Sequence, residues 1–247
     1  MTTARVLGLA ICLASTSAFA LEQGEALING FGTVGVTHLG GEDDGRSYGI
    51  SGQTNDSWRG DQLSKFGAQL TYGVTDTVGL TLQTTAKAYG DEWKANLEWA
   101  YLSWQSTDNL MMRFGRLRTP VYMYSESIDV GFSYPWLRLP DEVYSQVQLS
   151  NYEGADIVYN LPLSFATLSF QLAGGIAKNR DYYIYDEEFD IDYDNVFGSS
   201  VSLATNDFGT FRVGYVEADI DTDISGSFTD IFGNPGTASL LALDKDK

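Results

Sequence analysis

This 247-residue chain has little of several residue types, and each shortage narrows what the protein can be. A single cysteine, Cys12, and a single histidine, His38, argue against a zinc site built from such ligands. No stretch approaches ~18 consecutive apolar residues, which rules out transmembrane helices but leaves transmembrane strands open. Proline is sparse at 5 residues, whereas glycine and tyrosine reach 26 and 15. This composition favours an all-β chain.

Basic residues are also in short supply, with 15 Lys and Arg against 33 Asp and Glu and a net charge of −18. A strongly acidic chain repels the phosphate backbone, so we expect no nucleic-acid partner. The chain lacks a Gly-x-Ser-x-Gly nucleophile motif, and its only histidine lies at the end of an expected strand. Because hydrolases of that kind need a histidine placed as general base, we predict that the chain is not an enzyme.

The first twenty residues have the layout of an export signal. Arg5 precedes an apolar run from Val6 to Ala14, and Ala18-Phe-Ala20 supplies the small-x-small end of a cleavage site. We therefore predict a signal peptide over residues 1–20, removed during export, and a mature chain without cysteine. Leu9-Ala-Ile-Cys12 loosely resembles a lipid-attachment box, an alternative that the isoleucine before the cysteine disfavours.

Nine later segments have the composition of strands, and most are about ten residues long. Ten residues is roughly the length that a tilted strand needs to cross a bilayer. The predicted strands are residues 26–38, 63–74, 78–88, 93–105, 110–116, 152–161, 165–177, 196–205 and 210–219.

Apolar and polar side chains alternate in several of these segments, which gives each strand one apolar and one polar face. In residues 93–105 the alternation assigns Trp93, Leu97 and Tyr101 to the apolar face. The polar faces carry mostly small or hydrophilic residues (Gly, Thr, Gln, Asn and Lys), which suit a water-filled interior. A soluble β-sandwich has the same period with its apolar face buried, so the period alone leaves both architectures open.

The connections separate the two cases, because short turns alternate with longer segments. The predicted short turns are residues 75–77, 106–109, 160–164 and 206–209. Between them lie residues 39–62, 89–92, 117–151, 178–195 and those after 220, and four of these five connections are long. Membrane barrels keep short turns at one end and long loops at the other, whereas a sandwich has no reason to do so. We therefore predict a transmembrane antiparallel β-barrel.

Three segments resemble a known family. Phe114-Gly-Arg-Leu-Arg-Thr-Pro120 is similar to the Phe/Tyr-Gly-Arg segment that leads into the third loop of trimeric bacterial porins. Ser64-Lys-Phe-Gly-Ala-Gln69 and Asn151-Tyr-Glu-Gly-Ala-Asp-Ile-Val-Tyr159 resemble the strands that flank this segment. Residues 98–163 as a whole are similar to an outer-membrane porin-like group of marine and pseudomonad-type bacteria.

The resemblance implies a 16-stranded barrel in the Gram-negative outer membrane, assembled as a homotrimer among lipid and lipopolysaccharide. It also implies passive diffusion of small hydrophilic solutes and ions. About nine strands are counted, and the last residues, Leu240-Leu-Ala-Leu-Asp-Lys-Asp-Lys247, lack the terminal aromatic residue of such barrels. We therefore expect residues 21–247 to be part of a longer barrel, with a barrel of eight or ten strands as the alternative.

Charged residues expected at the pore follow from alternation and from the resemblance. Alternation points four basic residues into the lumen: Lys65, Lys87, Lys94 and Arg113. The resemblance makes residues 117–151 the third loop, which folds inward and narrows the channel. This loop carries four acidic residues: Glu126, Asp129, Asp141 and Glu142. Acids facing bases create a transverse field that favours polar over apolar solutes.

Two further arginines, Arg116 and Arg118, are expected in the pore from the resemblance. Strict alternation places Arg116 on the face of Phe114, which should contact lipid, where an arginine costs about 2–4 kcal/mol at the midplane. A bulge at Gly115 would shift the phase and resolve this conflict. We therefore predict that both arginines line the pore.

One acidic stretch, residues 181–194, interleaves carboxylates with tyrosine and phenylalanine. Clustered carboxylates can bind a divalent cation, so four residues are weak candidates for a surface site: Asp186, Glu187, Glu188 and Asp190. The stretch lacks the glycine turn and the terminal glutamate of a calcium loop. A solvated acidic loop is the simpler interpretation, and we expect no cofactor.

Two other functions stay open. A substrate-selective outer-membrane channel of the same fold would need a defined ladder of arginine or aromatic residues along its lumen. A surface adhesin or a secreted β-sandwich would be soluble without detergent and would conduct no ions.

Overall fold

A computed structural model describes residues 5–11, 21–38, 58–89, 92–144, 146–147, 149–184, 187–221, 225–229 and 235–239. These residues form thirteen strands: β1 (Arg5–Ile11), β2 (Ala26–His38), β3 (Trp58–Arg59), β4 (Lys65–Thr75), β5 (Val78–Tyr89), β6 (Glu92–Thr107), β7 (Leu110–Arg118), β8 (Asn151–Pro162), β9 (Ala166–Ile184), β10 (Glu187–Thr205), β11 (Gly209–Asp221), β12 (Ser225–Thr229) and β13 (Pro235–Ser239). One short helix, α1 (Asp141–Tyr144), and two 3-10 turns (Ser125–Ser127 and Gly131–Ser133) lie between β7 and β8. Among the described residues, no helix is long and apolar enough to span a membrane.

Eleven of the strands form one antiparallel sheet, so the all-β class is confirmed. The order along the sheet is β1-β2-β4-β5-β6-β7-β8-β9-β10-β11, and the short β3 also pairs with β2. β12 and β13 form a separate hairpin. Within the described ranges β1 and β11 do not pair with each other, so the sheet is not closed on itself.

Each of the nine predicted strands is present, and the first, Ala26–His38, matches to the residue. The prediction of a long loop at residues 178–195 is wrong, because β9 continues to Ile184 and β10 begins at Glu187. Alternation is interrupted there by two residues with positive φ, Asn179 and Asn195, and by register shifts, which conceal the strands in the sequence. Residues 1–4 and 12–20 of the predicted signal peptide lie outside the described residues, and Arg5–Ile11 pairs with β2 as a strand. The cleaved signal stays a prediction.

Four tight turns join consecutive strands at one end of the sheet: residues 76–77, 108–109, 163–165 and 206–208. Three of them use the same device, because Thr75, Thr107 and Thr205 each accept a hydrogen bond from the backbone N–H three residues later. A threonine hydroxyl in this position replaces a backbone turn contact and fixes the chain reversal. These turns agree with the predicted short connections.

Large apolar side chains that are exposed on β4–β10 share one side of the sheet, which we call the apolar face. The registers connect them from strand to strand, and the set includes Phe66, Trp93, Leu102, Phe114, Ile157, Leu172 and Val201. The opposite side, which we call the polar face, carries hydrophilic residues that are buried: Thr81, Gln83, Thr85, Arg113, Asp156, Gln171 and Ser200. The alternation predicted for residues 63–74 and 78–88 agrees with these faces.

A β-bulge reverses the alternation within β6. Thr84 pairs with Leu97 and Gln83 pairs with Trp99, which leaves Glu98 as the extra residue. Beyond this point the two faces exchange, so Tyr101 lies on the polar face, where its ring is 5.5 Å from the Arg113 guanidinium carbon. The prediction that Tyr101 shares the face of Trp93 is therefore wrong. Alternation of apolar and polar residues in the sequence does not reveal that one extra residue is inserted in the strand.

The segment between β7 and β8, residues 119–150, lies across the polar face, and we call it the long loop. Near its start, a Cβ on Gly214 of β11 would be 2.5 Å from the carbonyl oxygen of Val121. Ten residues later, a Cβ on Gly131 would be 2.5 Å from the hydroxyl of Thr33 on β2. Those two strands are eight steps apart in the sheet, about 38 Å if it were flat. Ten residues span at most about 36 Å fully extended, and a 3-10 turn shortens them. The sheet therefore curves around the loop.

Candidate functional site

The long loop is held on the polar face by charged side chains of the wall. We call the first group the anchor cluster: Lys87, Glu98, Arg118 and Asp129. Asp129, from the loop, receives Lys87 Nζ at 3.3 Å on one carboxylate oxygen and the Arg118 guanidinium on the other. Glu98, from the β6 bulge, binds Arg118 Nη2 at 2.9 Å and lies 3.6 Å from Lys87 Nζ. Two cations and two carboxylates thus form a closed square.

Burial makes this pairing obligatory. The side chains of Glu98, Arg118 and Asp129 are 4, 3 and 7% exposed. An ion without a partner in such surroundings loses several kcal/mol of hydration, so each charge needs its opposite. The hydroxyl of Thr85 donates to Glu98 at 2.7 Å and satisfies part of the hydrogen-bonding capacity of this carboxylate that the two cations do not use. Asp129 contacts both Lys87 and Arg118, so these ion pairs attach the loop to two strands of the wall.

Electrostatics keep Asp129 ionised. Burial alone would raise the pKa of its carboxyl, but the positive charges of Lys87, Arg118 and Lys65 outweigh burial and lower the pKa to about 2. Tyr134, also in the loop, has its pKa raised to about 12 by burial and by the charge of Asp129. Its hydroxyl therefore stays protonated and donates to the Ile128 carbonyl at 3.2 Å while it accepts from Lys65 Nζ at 3.0 Å.

A second group of charges lies further along the polar face, and we call it the Arg113 cluster. Arg113 donates through Nε and Nη2 to the two oxygens of Asp156, at 2.9 and 2.5 Å. The same Nη2 is 3.0 Å from Glu126 of the loop, which is half exposed. Gln171 donates to Asp156 at 2.7 Å. This cluster joins β7, β8 and β9 to the loop, and its one cation faces two carboxylates, so it carries a formal charge of −1.

Arg116 does not join either cluster. The registers of β7 with both neighbours run unbroken through Gly115, so the predicted bulge is absent. Gly115 has φ +133° and its missing side chain faces the backbone of β6, so only glycine fits there. Arg116 instead pairs with its cross-strand neighbour Glu153 at 3.2 Å, and Arg180 binds the same carboxylate. Strand parity would put Arg118 as well as Arg116 on the side of Phe114, yet Arg118 binds Glu98 and Asp129. Arg116 also donates to the buried Asn151, and its place in the pore stays a prediction.

The remaining predicted residues lie apart from these clusters. Lys94 faces Lys87 across β5 and β6 and is half-buried on the polar face. Asp141 begins α1, but its side chain lies outside the described part of the chain; Glu142 follows it and is exposed. Of the weak metal candidates, Asp186 falls outside the described residues, Glu187 and Glu188 are known only as backbone of β10, and Asp190 is exposed. The described side chains include no group of three or more His, Cys, Asp or Glu that could hold a metal ion.

Sequence reasoning missed the wall carboxylates. Glu98 and Asp156 fall on the polar side of their strands by alternation, which was the available signal. Only the register shows that Asp156 stands opposite Arg113 and that the β6 bulge turns Glu98 toward Arg118. Arg212 of β11 was missed as well, and it donates to the carbonyl of Pro120 at 3.1 Å at the start of the loop.

Comparison with known proteins does not connect this chain with a family. No protein-family model matches the chain, and no curated protein is significantly similar to it. Function therefore has to be argued from this geometry.

Replacing a buried wall carboxylate should show how much its ion pair contributes to the free energy of unfolding. Asp156→Asn removes the charge from a side chain that is 0% exposed and leaves Arg113 short of its main partner. We expect a loss of about 3–5 kcal/mol in the free energy of unfolding. The matched control is Glu153→Gln, whose carboxylate is 43% exposed and should contribute less than about 1 kcal/mol. Urea titration of both variants in detergent measures the difference, and equal losses would contradict the assignment.

The attachment of the loop should persist in acid. The pKa of Asp129 falls from 3.8 to about 2 on folding, so its ion pairs stabilise the folded chain fully above about pH 4. That stabilisation is lost as the pH drops through about 2. Pepsin, which is active in acid, should therefore leave residues 119–150 intact at pH 4 and cut them near pH 1.5. Asp129→Asn should be cut at pH 4 already; resistance of that variant at pH 4 would show that Asp129 does not hold the loop.

Proposed function

We propose that this chain forms part of the wall of a transmembrane β-barrel in the Gram-negative outer membrane and acts as a porin. It would let small hydrophilic solutes and ions diffuse passively through the space between the long loop and the polar face. One observation carries the proposal: the sheet exposes its large apolar side chains on one face and buries its charges on the other. That distribution is the inverse of a soluble protein and matches a wall between lipid and water.

The apolar face is the strongest support. Leu172, Phe114 and Val213 are 55, 49 and 76% exposed, and the registers place them on the same side of the sheet, with Leu172 two strands from each of the others. Soluble monomers rarely expose contiguous apolar patches larger than a few hundred Å². A secreted sandwich would cover this face with a second sheet. The alternative of a soluble adhesin or sandwich therefore has little support.

The polar face supports a channel rather than a solid plug. Its strand residues away from the clusters are small or neutral, as Thr81, Gln83 and Ser200 illustrate. A loop held against the wall by ion pairs would narrow an aqueous passage between the loop and the wall. Charge and width are the means by which such a passage discriminates among solutes. Closing the curved sheet into a barrel would require further strand pairing at the edges of β1 or β2 and of β11.

The resemblance to trimeric porins supports the remaining parts of the proposal. It suggests export through the signal peptide of residues 1–20, assembly into a homotrimer, and contact with membrane lipid and lipopolysaccharide. It also suggests that the long loop, residues 119–150, corresponds to the third loop of those porins. No catalytic role is part of the proposal.

A charge on the apolar face should be tolerated in water but not in lipid. Val213→Arg introduces an arginine where a bilayer would lie, and we expect it to reduce the free energy of unfolding in lipid vesicles by about 2–4 kcal/mol. The control is Val143→Arg on α1 of the long loop, where the same residue type is 49% exposed on the other side of the wall. This control should change folding by less than about 0.5 kcal/mol. If Val213→Arg folds into vesicles as readily as the control, the apolar face does not contact lipid.

The channel itself is tested by conductance in planar lipid bilayers. The protein should add current in discrete steps, in groups of three if it is a trimer. Asp129→Asn, which frees the long loop, should raise the noise of the open channel and alter the size of the step. A protein that stays soluble without detergent and adds no current would overturn the proposed function.

A further inference from the structure

A cavity of about 290 Å³ lies between the long loop and the wall strands β7–β11. Its charged and hydroxyl-bearing lining includes Arg113, Glu126, Ser200, Ser202, Thr210 and Arg212. The volume is close to the lower end of sites that hold a small molecule. In the proposed channel, a solute that passes the loop would have to cross this space.

Most positive charges around the loop are already neutralised. Arg113 is bound by Asp156 and Glu126, and Arg118 is bound by Glu98 and Asp129. A guanidinium whose donors are committed to carboxylates offers little to a passing solute. The arginines that the sequence analysis connected with anions therefore serve mainly to attach the loop.

Arg212 differs from Arg113 and Arg118 in its hydrogen-bond and ion-pair partners. Within the part of the chain that the structure describes, no carboxylate lies within ion-pair distance of its guanidinium, and its one hydrogen bond runs from Nη2 to the carbonyl of Pro120. Its Nε has no hydrogen-bond partner. The charged groups near it are Glu126 and Arg113, and Arg113 is shared between Glu126 and Asp156. Glu126 therefore offsets part of the charge of Arg212 at a distance, but Arg212 keeps most of its five donors for a ligand.

Hydroxyl groups surround this arginine. Ser202 stands directly opposite Arg212 in the β10–β11 register, and Ser200 and Thr210 are each two residues away along their strands on the same face. None of the three hydroxyls makes a side-chain hydrogen bond to another described residue. An arginine fork with adjacent hydroxyl donors is the arrangement that binds carboxylate and phosphate oxygens.

We propose that Arg212, with Ser200, Ser202 and Thr210, forms an oxyanion-binding subsite in the lumen, so that the channel favours small solutes that carry a carboxylate or a phosphate. This inference rests on the proposed function for its biological meaning, but binding itself can be measured on the protein in detergent. Arg212 is the residue that determines specificity, and the hydroxyls orient the bound oxygens.

Isothermal titration calorimetry with inorganic phosphate, and separately with acetate, tests the subsite on the full chain in detergent. Arg212→Gln should weaken binding about tenfold or more, because a charge-assisted hydrogen bond is lost. Arg212→Lys, which keeps the charge but loses the fork, should fall between that variant and the wild type. Ser202→Ala should weaken binding about threefold and leaves the contact between Arg212 and Pro120 in place.

The control is Lys178→Gln, which also removes one positive charge. Lys178 pairs with Asp192 and Asp194 on β10, about 23 Å along the strand from Gln171 of the cavity. The dissociation constant of the Lys178→Gln variant for phosphate should equal that of the wild type. Equal affinity in wild type and Arg212→Gln, or an equal loss in Lys178→Gln, would overturn the subsite.

Conductance separates this inference from the proposed function. In bilayers, phosphate should block the wild-type current at concentrations that leave Arg212→Gln open. Channels that conduct normally but show the same block in both proteins would overturn the subsite alone. A protein that binds phosphate through Arg212 but never conducts would overturn the porin proposal and retain the site.

Discussion

Charge on the polar face of the sheet can exist only in pairs, because Glu98, Asp129 and Asp156 have almost no contact with water. The wall pairs Asp156 with Arg113 and Glu98 with Arg118, but Asp129 needs partners from outside its own segment. Lys87 and Arg118 come from the wall, whereas Asp129 comes from the long loop, and the two sides neutralise each other only when the loop lies flat against the strands. The same requirement gives the loop one position rather than many. Most other features of the molecule follow from that position.

Curvature of the sheet is the first consequence. The loop touches β2 and β11 through Gly131 and Gly214, and a flat sheet would hold these strands too far apart. At both contacts a side chain would collide with the opposing chain, so glycine is required for the close approach. Hydrophobic packing completes the attachment at the return of the loop, where Leu117, Leu149 and Tyr152 are buried against β9 and β10. The loop is thus fixed by charge in its middle and by apolar contact at its end.

Sequence alternation was enough to locate the nine strands and most of their faces, since side chains of a strand alternate whatever it packs against. It could not reveal the pairs that hold the loop. Arg113 and Asp156 are 43 positions apart, and Lys87 and Asp129 are 42 apart, so their meeting depends on register and on loop path. It also could not detect the extra residue at Glu98, which reverses the faces of β6. At Gly115 the bulge suggested to place Arg116 in the pore is absent, so neither alternation nor the resemblance alone accounts for Arg116 and Arg118 together.

Net charge is a poor guide to which ions such a wall would favour. The chain carries −18 in total, but ions respond to the charges that they meet at the narrowest point. In the proposed channel, the carboxylates of Asp129 and Asp156 and the cations of Arg113 and Arg118 would cancel in pairs and give a local field without a net preference. A preference would have to come from charges outside those pairs. Arg212 of the wall and Glu126 of the long loop are two such charges of opposite sign at one cavity, so the preference depends on which of them a solute contacts, and the proposed subsite assigns that contact to Arg212.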